Sequence, residues 1–182
     1  MKTEIKQLLE SVKNGIMTVD EALLQIKTKP FEDVGYAKVD LHRKARQGVA
    51  EVIYGAGKTA TQMIGIIETM QRNGQNCILI TRLSPTAADE IREKVSLRCF
   101  PEAHIGIIGE MPKPDGIGKI VIATGGTSDI PVAEEAALTA EVLGNEVVRL
   151  FDVGVAGLHR LLSHLDDIMN ASVIIAIAGM EG

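Results

Sequence analysis

Near the start of the chain, apolar positions recur at helical spacing. Ile5, Leu8, Leu9 and Val12 share one face of a helix predicted over residues 3–14, and Asn14-Gly15 stops it, because glycine readily takes the left-handed conformation at a helix end. Thr18 and Glu21 then form a capping box ahead of a second short helix carrying Ala22, Leu23, Leu24 and Ile26, which Lys29-Pro30 ends. This pair reads as a helical hairpin. Phe31–Lys38 is expected to link it to the main domain, so the predicted organisation is an N-terminal extension over 1–38 and an α/β domain over 39–182.

From about residue 39 short β-branched runs alternate with helical stretches. The runs are Cys77–Ile80, Ile105–Ile108, Ile120–Ala123, Val147–Phe151 and Val173–Ala178, and the clearest helices between them cover roughly 59–72, 85–95, 131–143 and 155–168. Strands buried on both faces read as continuous apolar runs, and βα alternation places helices on both sides of a parallel sheet. The expected fold is therefore an open, three-layer α/β sandwich of Rossmann or flavodoxin type. The last run, VIIAIAGMEG, reads as a strand and a turn, and such sheets bind ligands beyond the carboxyl ends of their strands.

Composition narrows the function classes. The 182 residues carry a net charge of -5 and are 46% hydrophobic, yet no apolar run approaches the roughly 20 residues of a membrane-spanning helix. MKTEIKQLLESVKNG has neither the apolar core of a signal peptide nor the Arg-rich, acid-poor character of a transit peptide, so a cytoplasmic location with no membrane partner is expected. Acidic balance, 3% aromatics and no Trp argue against a nucleic-acid partner. Cys77 and Cys99 fit no CxxC spacing, so both are read as reduced thiols and no metal site is expected. Glycines gather at the ends of apolar runs, which suits tight strand-to-helix turns.

Four constellations could carry chemistry. Thr124-Gly125-Gly126-Thr127-Ser128-Asp129, followed by Ile130-Pro131, lies between a strand and a long helix. Its glycines permit close backbone approach and its hydroxyls and amides can donate to an anion, so it reads either as a phosphate or carboxylate cradle or as a Gly-rich turn capped by Asp129. An Asp beside an anion site suggests proton handling. Asp152-Val153-Gly154-Val155-Ala156-Gly157-Leu158-His159-Arg160 opens another helix, and its His159 is either structural or an acid/base partner at the same crevice as Asp152. Glu181 in the terminal AGMEG is a rim carboxylate or merely a solvated one. Arg43 and Arg46 would share a face of a helix, and with Lys58 and Arg82 they form a cationic cluster for a small anion, or a solvated face paired to Asp40 and Glu51.

RKARQGVAEVIYGAGK, ILITR, GGTSDIPVAEEAALTAEVLG, DVGVAGLHRLL and AGMEG, in this order over residues 39–182, resemble the pyridinium-3,5-biscarboxylic acid mononucleotide synthase family of nickel-pincer cofactor synthesis, whose core resembles phosphoribosylaminoimidazole carboxylase. The resemblance implies carboxylation of the pyridinium ring of nicotinic acid adenine dinucleotide and hydrolysis of its phosphoanhydride to release AMP. It implies no permanently bound cofactor; CO2 or bicarbonate is the co-substrate, and help from Mg2+ is left open. On this reading Arg43, Arg46, Lys58 and Arg82 meet the anionic dinucleotide, and Gly125, Gly126, Thr127, Ser128 and Asp152 line the site. Asp129, His159 and Glu181 are the candidates for proton transfer and orientation.

The family also places a ring-attacking cysteine beyond AGMEG, and neither Cys77, in a predicted strand, nor Cys99, in a predicted loop, occupies that place. The chain is accordingly expected to be truncated at its C-terminal end and to bind substrate without turning it over. Two other readings stand beside this one. An aminoimidazole ribonucleotide carboxylase or mutase of purine biosynthesis leaves the helical extension and RKARQGVAEV without a role, and a non-catalytic nucleotide-binding or assembly module would need no cysteine. Self-association into a homo-oligomer is expected, because a bare final strand would be an open edge and related carboxylases assemble.

Overall fold

A computed structural model describes residues 2–28, 31–41, 43 and 48–180. The chain divides into two compact units, one of residues 1–51 and 65–75, the other of 52–64 and 76–182.

The first unit begins with α1 (Lys2–Lys13) and α2 (Val19–Thr28), which pack on each other. Gly15 takes φ +70°, and the Gly15 and Ile16 amides donate back to Val12 O and Ser11 O, the glycine stop that the sequence implies. The capping box also forms. Thr18 N donates to Glu21 Oε2 at 2.8 Å, and Glu21 N donates to Thr18 Oγ1 at 3.2 Å. Where a linker was expected the chain instead makes a hairpin of β1 (Phe31–Asp33) and β2 (Lys38–Asp40), closed by Val34 N donating to Ala37 O across a turn with Gly35 at φ +85°. The strands escape sequence reading because FED and KVD are too short and too charged to show a strand period. Helix α3 (Ala60–Arg72) gives this unit its residues from Gly65 onward, and there Arg72 and Asn73 both donate to the Glu32 carboxylate.

The second unit holds two sheets. The first has the order β3 (Ile53–Tyr54), β4 (Ile78–Thr81), β6 (Ile105–Ile108), β5 (Leu97–Phe100), and the second the order β8 (Glu146–Leu150), β7 (Lys119–Thr124), β9 (Ala171–Ile177). Between them in the chain come α4 (Pro85–Arg92), α5 (Ile130–Val142), α6 (Leu158–Leu162) and α7 (Leu165–Met169). The second sheet is all parallel, and β7 is buried on both faces. Val121 packs with Leu161 and Ile168 from α6 and α7, while Ile122 packs with Ala133 and Ala137 of α5. Side chains alternate across a strand, so this is the expected three-layer α/β sandwich seen locally. Each such burial contributes about 1.5–3 kcal/mol.

Three expectations are corrected. The sheet is not parallel throughout, since β6 runs antiparallel to both β4 and β5, and Cys99 lies in β5 rather than in a loop. Arg98 interrupts the apolar run of β5 and hides it from a search for continuous hydrophobics. The helix expected over 155–168 is a 3-10 turn at Val155–Gly157 followed by α6 and α7. Ser163 Oγ donates to Arg160 O at 2.7 Å, a local bond that competes with helix continuation.

Candidate active site

The carboxyl ends of β7, β8 and β9 lie on one edge of a parallel sheet, and three turns leave it together. Gly125 N donates to Ile177 O at the end of β9, at 3.0 Å, and Gly154 N after β8 donates to Gly125 O, also at 3.0 Å. A Cβ on Gly154 would stand 2.3 Å from that same oxygen, so only glycine permits the approach. On Gly125 a Cβ would meet Ala178 Cβ at 3.0 Å. The backbone of all three turns is thus drawn into one floor.

Asp129 stands over it. Its Oδ2 accepts from Gly126 N at 3.0 Å, and its Oδ1 would lie 3.9 Å from a Cβ on Gly179. The carboxylate is half-buried and sits between the turn that follows β7 and the turn that follows β9. Asp129 does close the Gly-rich turn, although it bonds the preceding Gly126 and no amide of α5, whose start carries Pro131 as the sequence suggests. The amides of Gly125 and Gly126, expected to face an anion, are instead committed within the protein, so these glycines serve through their missing side chains. Thr127 and Ser128 are exposed and present their hydroxyls at the rim.

Asp152 follows β8 with φ +56°, a left-handed conformation that Asp tolerates better than most residues. It is held there from two sides. Its amide donates to Thr124 Oγ1 at 2.8 Å, a hydroxyl on a residue only 1% exposed, and its carboxylate takes a short ion pair from Arg160. Gly157 lacks the Cβ that would otherwise stand 2.6 Å from Arg160 Nε. His159 is exposed on α6, and among the described residues its ring has no hydrogen bond to Asp129 or Asp152. Its neighbour Arg160 makes the contact with the crevice. The bonds of Thr124 and Arg160 to Asp152 are not legible in the sequence, because both span loops whose course the sequence does not fix.

The cationic residues fall in different units. Arg46 and Glu181 lie outside the described residues. Arg43 belongs to the first unit, where it is exposed, and burial holds the nearby Glu51 carboxyl above its ordinary range while the Asp40 amide and Arg43 oppose that rise. Lys58 and Arg82 belong to the second unit and stand at the carboxyl ends of the parallel pair β3 and β4. There Gly55 N donates to Thr81 O at 2.7 Å. Lys58 Nζ donates to Tyr54 O at 2.7 Å, and Arg82, at φ +53°, pairs through Nε with Glu135 Oε1 on α5 at 3.4 Å. One signal went unused: strand β3, then Gly55-Ala56-Gly57-Lys58-Thr59, then a 13-residue helix is strand–turn–helix punctuation rather than mere positive charge. Gly57 takes φ +76°, and Thr59 and Gln62 cap α3 reciprocally.

Helix α5, which carries Asp129 at its mouth, is fixed to β8 by Arg149. This half-buried guanidinium donates to Glu141 at 2.5 and 3.1 Å and to Glu134 at 3.1 and 3.2 Å, and the Glu141 bond leads the interactions that raise its pKa. Lys119 on β7 pairs with Asp167 of α7 at 2.8 Å, a bond that holds the Asp167 carboxyl below its usual range. No sequence pattern announced either clamp.

In open α/β proteins, ligands bind where turns meet at the carboxyl edge of the parallel strands. Residues 31–110 match the LarB/PurE-like N-terminal domain. The chain is also similar to a Methanocaldococcus jannaschii protein named Uncharacterized protein MJ0165, with 38% identity over 193 residues that take in all of this chain and 75% of the relative. The chain belongs to the LarB/PurE-like family, which is of carboxylase and mutase type. Among the described residues no helix is long and apolar enough to cross a membrane.

Proposed function

We propose that this protein carboxylates the pyridinium ring of nicotinic acid adenine dinucleotide with CO2 or bicarbonate and hydrolyses its phosphoanhydride to release AMP, the opening step of nickel-pincer cofactor synthesis. The observation that carries this reading is Asp129, one half-buried carboxylate standing where the turns after β7 and β9 meet. Carboxylation forms a carbon–carbon bond to CO2 and removes the proton of the same ring carbon, and on this reading Asp129 takes that proton. Hydrolysis adds water to a phosphorus, breaks the bridging P–O bond and leaves AMP.

Thr127, Ser128 and Arg160 supply donors to the anionic substrate around that carboxylate, and His159, exposed on α6, has the side-chain chemistry to return a proton to the leaving phosphate. Among the described residues no three His, Cys, Asp or Glu side chains gather to hold a metal ion. Ring carboxylation also needs a nucleophile to make the pyridinium electron-rich, a role that the family resemblance gives to a cysteine. Cys77 is a poor substitute, because burial raises its thiol pKa.

The test is AMP release from the dinucleotide in the presence of labelled bicarbonate, using the protein purified from its own cells. Bicarbonate-dependent AMP and a labelled pyridinium product are expected. Tight dinucleotide binding without product would favour a nucleotide-binding module, and preference for aminoimidazole ribonucleotide would favour a purine-pathway carboxylase or mutase.

A further inference from the structure

Among the described residues, Thr69 and Thr124 are the two polar residues that are buried. The Thr69 hydroxyl donates to Gly65 O in its own helix at 2.9 Å, a common way for a helical threonine to satisfy itself. The Thr124 hydroxyl, at the end of β7, instead accepts the amide of Asp152, 28 residues away, at 2.8 Å. The Thr124 carbonyl oxygen accepts the next amide, Val153 N, at 3.0 Å. One residue thus takes two consecutive amides of the turn after β8. Valine would have nearly the same shape and suit a strand as well, so the hydroxyl marks a bond that this turn needs.

What the bond fixes is an aspartate at φ +56°, a conformation that costs free energy and persists only where the surroundings hold it. The Asp152 carboxylate in turn accepts a short bond from Arg160 Nη1 and, among the described residues, is the sole acceptor for that guanidinium. The guanidinium fills the space that a Gly157 side chain would take, since a Cβ there would stand 2.6 Å from Nε and 3.1 Å from Nη2. Its other N–H groups stay unspent. An arginine held in place before a ligand arrives loses less side-chain freedom on binding than one that must be ordered by the ligand itself.

We infer that Thr124 is a positioning residue: its buried hydroxyl fixes the left-handed Asp152, and Asp152 holds the Arg160 guanidinium ready for an anionic group of the substrate. This assignment rests on the reading above that Arg160 donates to the substrate. It deepens that reading by giving Thr124 and Asp152 a role exerted through Arg160 rather than at the substrate itself.

Two measurements on the full-length protein test it. Arginine side-chain NMR, made without ligand, reports whether the Arg160 Nε–H is fixed. An ordered signal is expected for the parent and for Thr124→Ser, which keeps the acceptor, and a motionally averaged one for Thr124→Val. Asp152→Asn should average it too, because asparagine tolerates the left-handed backbone but carries no charge for Arg160, and this variant serves if Thr124→Val fails to fold. In steady-state AMP release from nicotinic acid adenine dinucleotide, Thr124→Val and Asp152→Asn should each raise KM about tenfold with kcat little changed, and Thr124→Ser should stay near the parent. In an Arg160→Ala background neither substitution should raise KM further. An ordered Arg160 signal in both variants, or KM losses that add to that of Arg160→Ala, would overturn the assignment. The two proposals fail separately. An Arg160 signal that is ordered in the parent and averaged in the variants, with no AMP released by any of them, keeps the positioning and removes the reaction, whereas AMP release with KM unmoved by either substitution keeps the reaction and removes the positioning role.

Discussion

Gly154 donates its amide to the carbonyl of Gly125 at 3.0 Å, and with Val153 N donating to Thr124 O at 3.0 Å this bond ties the turn after β8 to the end of β7 and the turn beyond it. The approach leaves no space, because a Cβ on Gly154 would stand 2.3 Å from the oxygen it bonds. Gly154→Ala should therefore destabilise the second unit by about 1–3 kcal/mol, as overpacking commonly does. Gly126→Ala is the matched control, since its Cβ would meet nothing nearer than 3.8 Å. Thermal denaturation should show a clear loss for the first and a change within about 0.5 kcal/mol for the second.

Arg149 makes a second test, independent of the crevice. Its guanidinium lies between Glu134 and Glu141 of α5, and all three side chains are about three-quarters buried. Arg149→Met keeps the bulk but leaves two carboxylates facing each other without a cation. Breaking a fully buried pair costs about 3–5 kcal/mol, so a loss of roughly 2 kcal/mol is expected at this depth. Chemical denaturation at neutral pH measures it, and Arg149→Met combined with Glu141→Gln should recover part of the loss.

Glu51 should make the stability of the first unit depend on pH. Burial is the largest influence on its carboxyl and raises the folded pKa above the ordinary value, against the hydrogen bond from the Asp40 amide. A raised folded pKa favours folding below the unfolded value of about 4.3, and that advantage is lost as pH climbs through the folded pKa. Glu51→Gln keeps an acceptor for the Asp40 amide and removes the ionisation. Its melting temperature should exceed the parent's at pH 7 and converge with it near pH 4; equal curves at both values would contradict the burial argument.

Cys77 should react slowly. Burial raises its thiol pKa and outweighs the opposing influence of Arg98, so little thiolate is present at neutral pH. Labelling with a disulfide reagent at pH 7.5 should proceed more slowly at Cys77 than at a small free thiol, and mild denaturant should speed it. Rapid labelling of the native protein at Cys77 would count against its packing on the core cluster that contains Leu79 and Ile107.

Much of this fold could be read from the chain because its signals are local. The strand at Ile105–Ile108 coincides with the predicted run, and α3 and α5 fall within a residue of their expected bounds, since caps and apolar periods are properties of short segments. Thr18 and Glu21 form the capping box that their spacing implies. What escaped was set by partners distant in sequence. Arg98 disguises β5, a strand recognisable only beside β6, and the β1–β2 hairpin is too short for a period. The site divides in the same way. Asp129 and its glycines sit on one contiguous motif that the sequence singles out, whereas the bond from Arg160 to Asp152 is not legible there, because it depends on a 3-10 turn and on the space left by Gly157.

Asp129 is the residue on which the proposed reaction turns, so Asp129→Asn is the measurement to make. Asparagine keeps an oxygen for the Gly126 amide and thus the turn, but it cannot take a proton. The wild-type protein purified from its own cells and the variant made as the same full-length chain would be compared for bicarbonate-dependent AMP release from nicotinic acid adenine dinucleotide, alongside dinucleotide affinity and melting temperature. The predicted result is a loss of about 10²–10⁴ in rate with binding and stability close to wild type. AMP release at an unchanged rate would contradict the assignment of Asp129 as the proton acceptor.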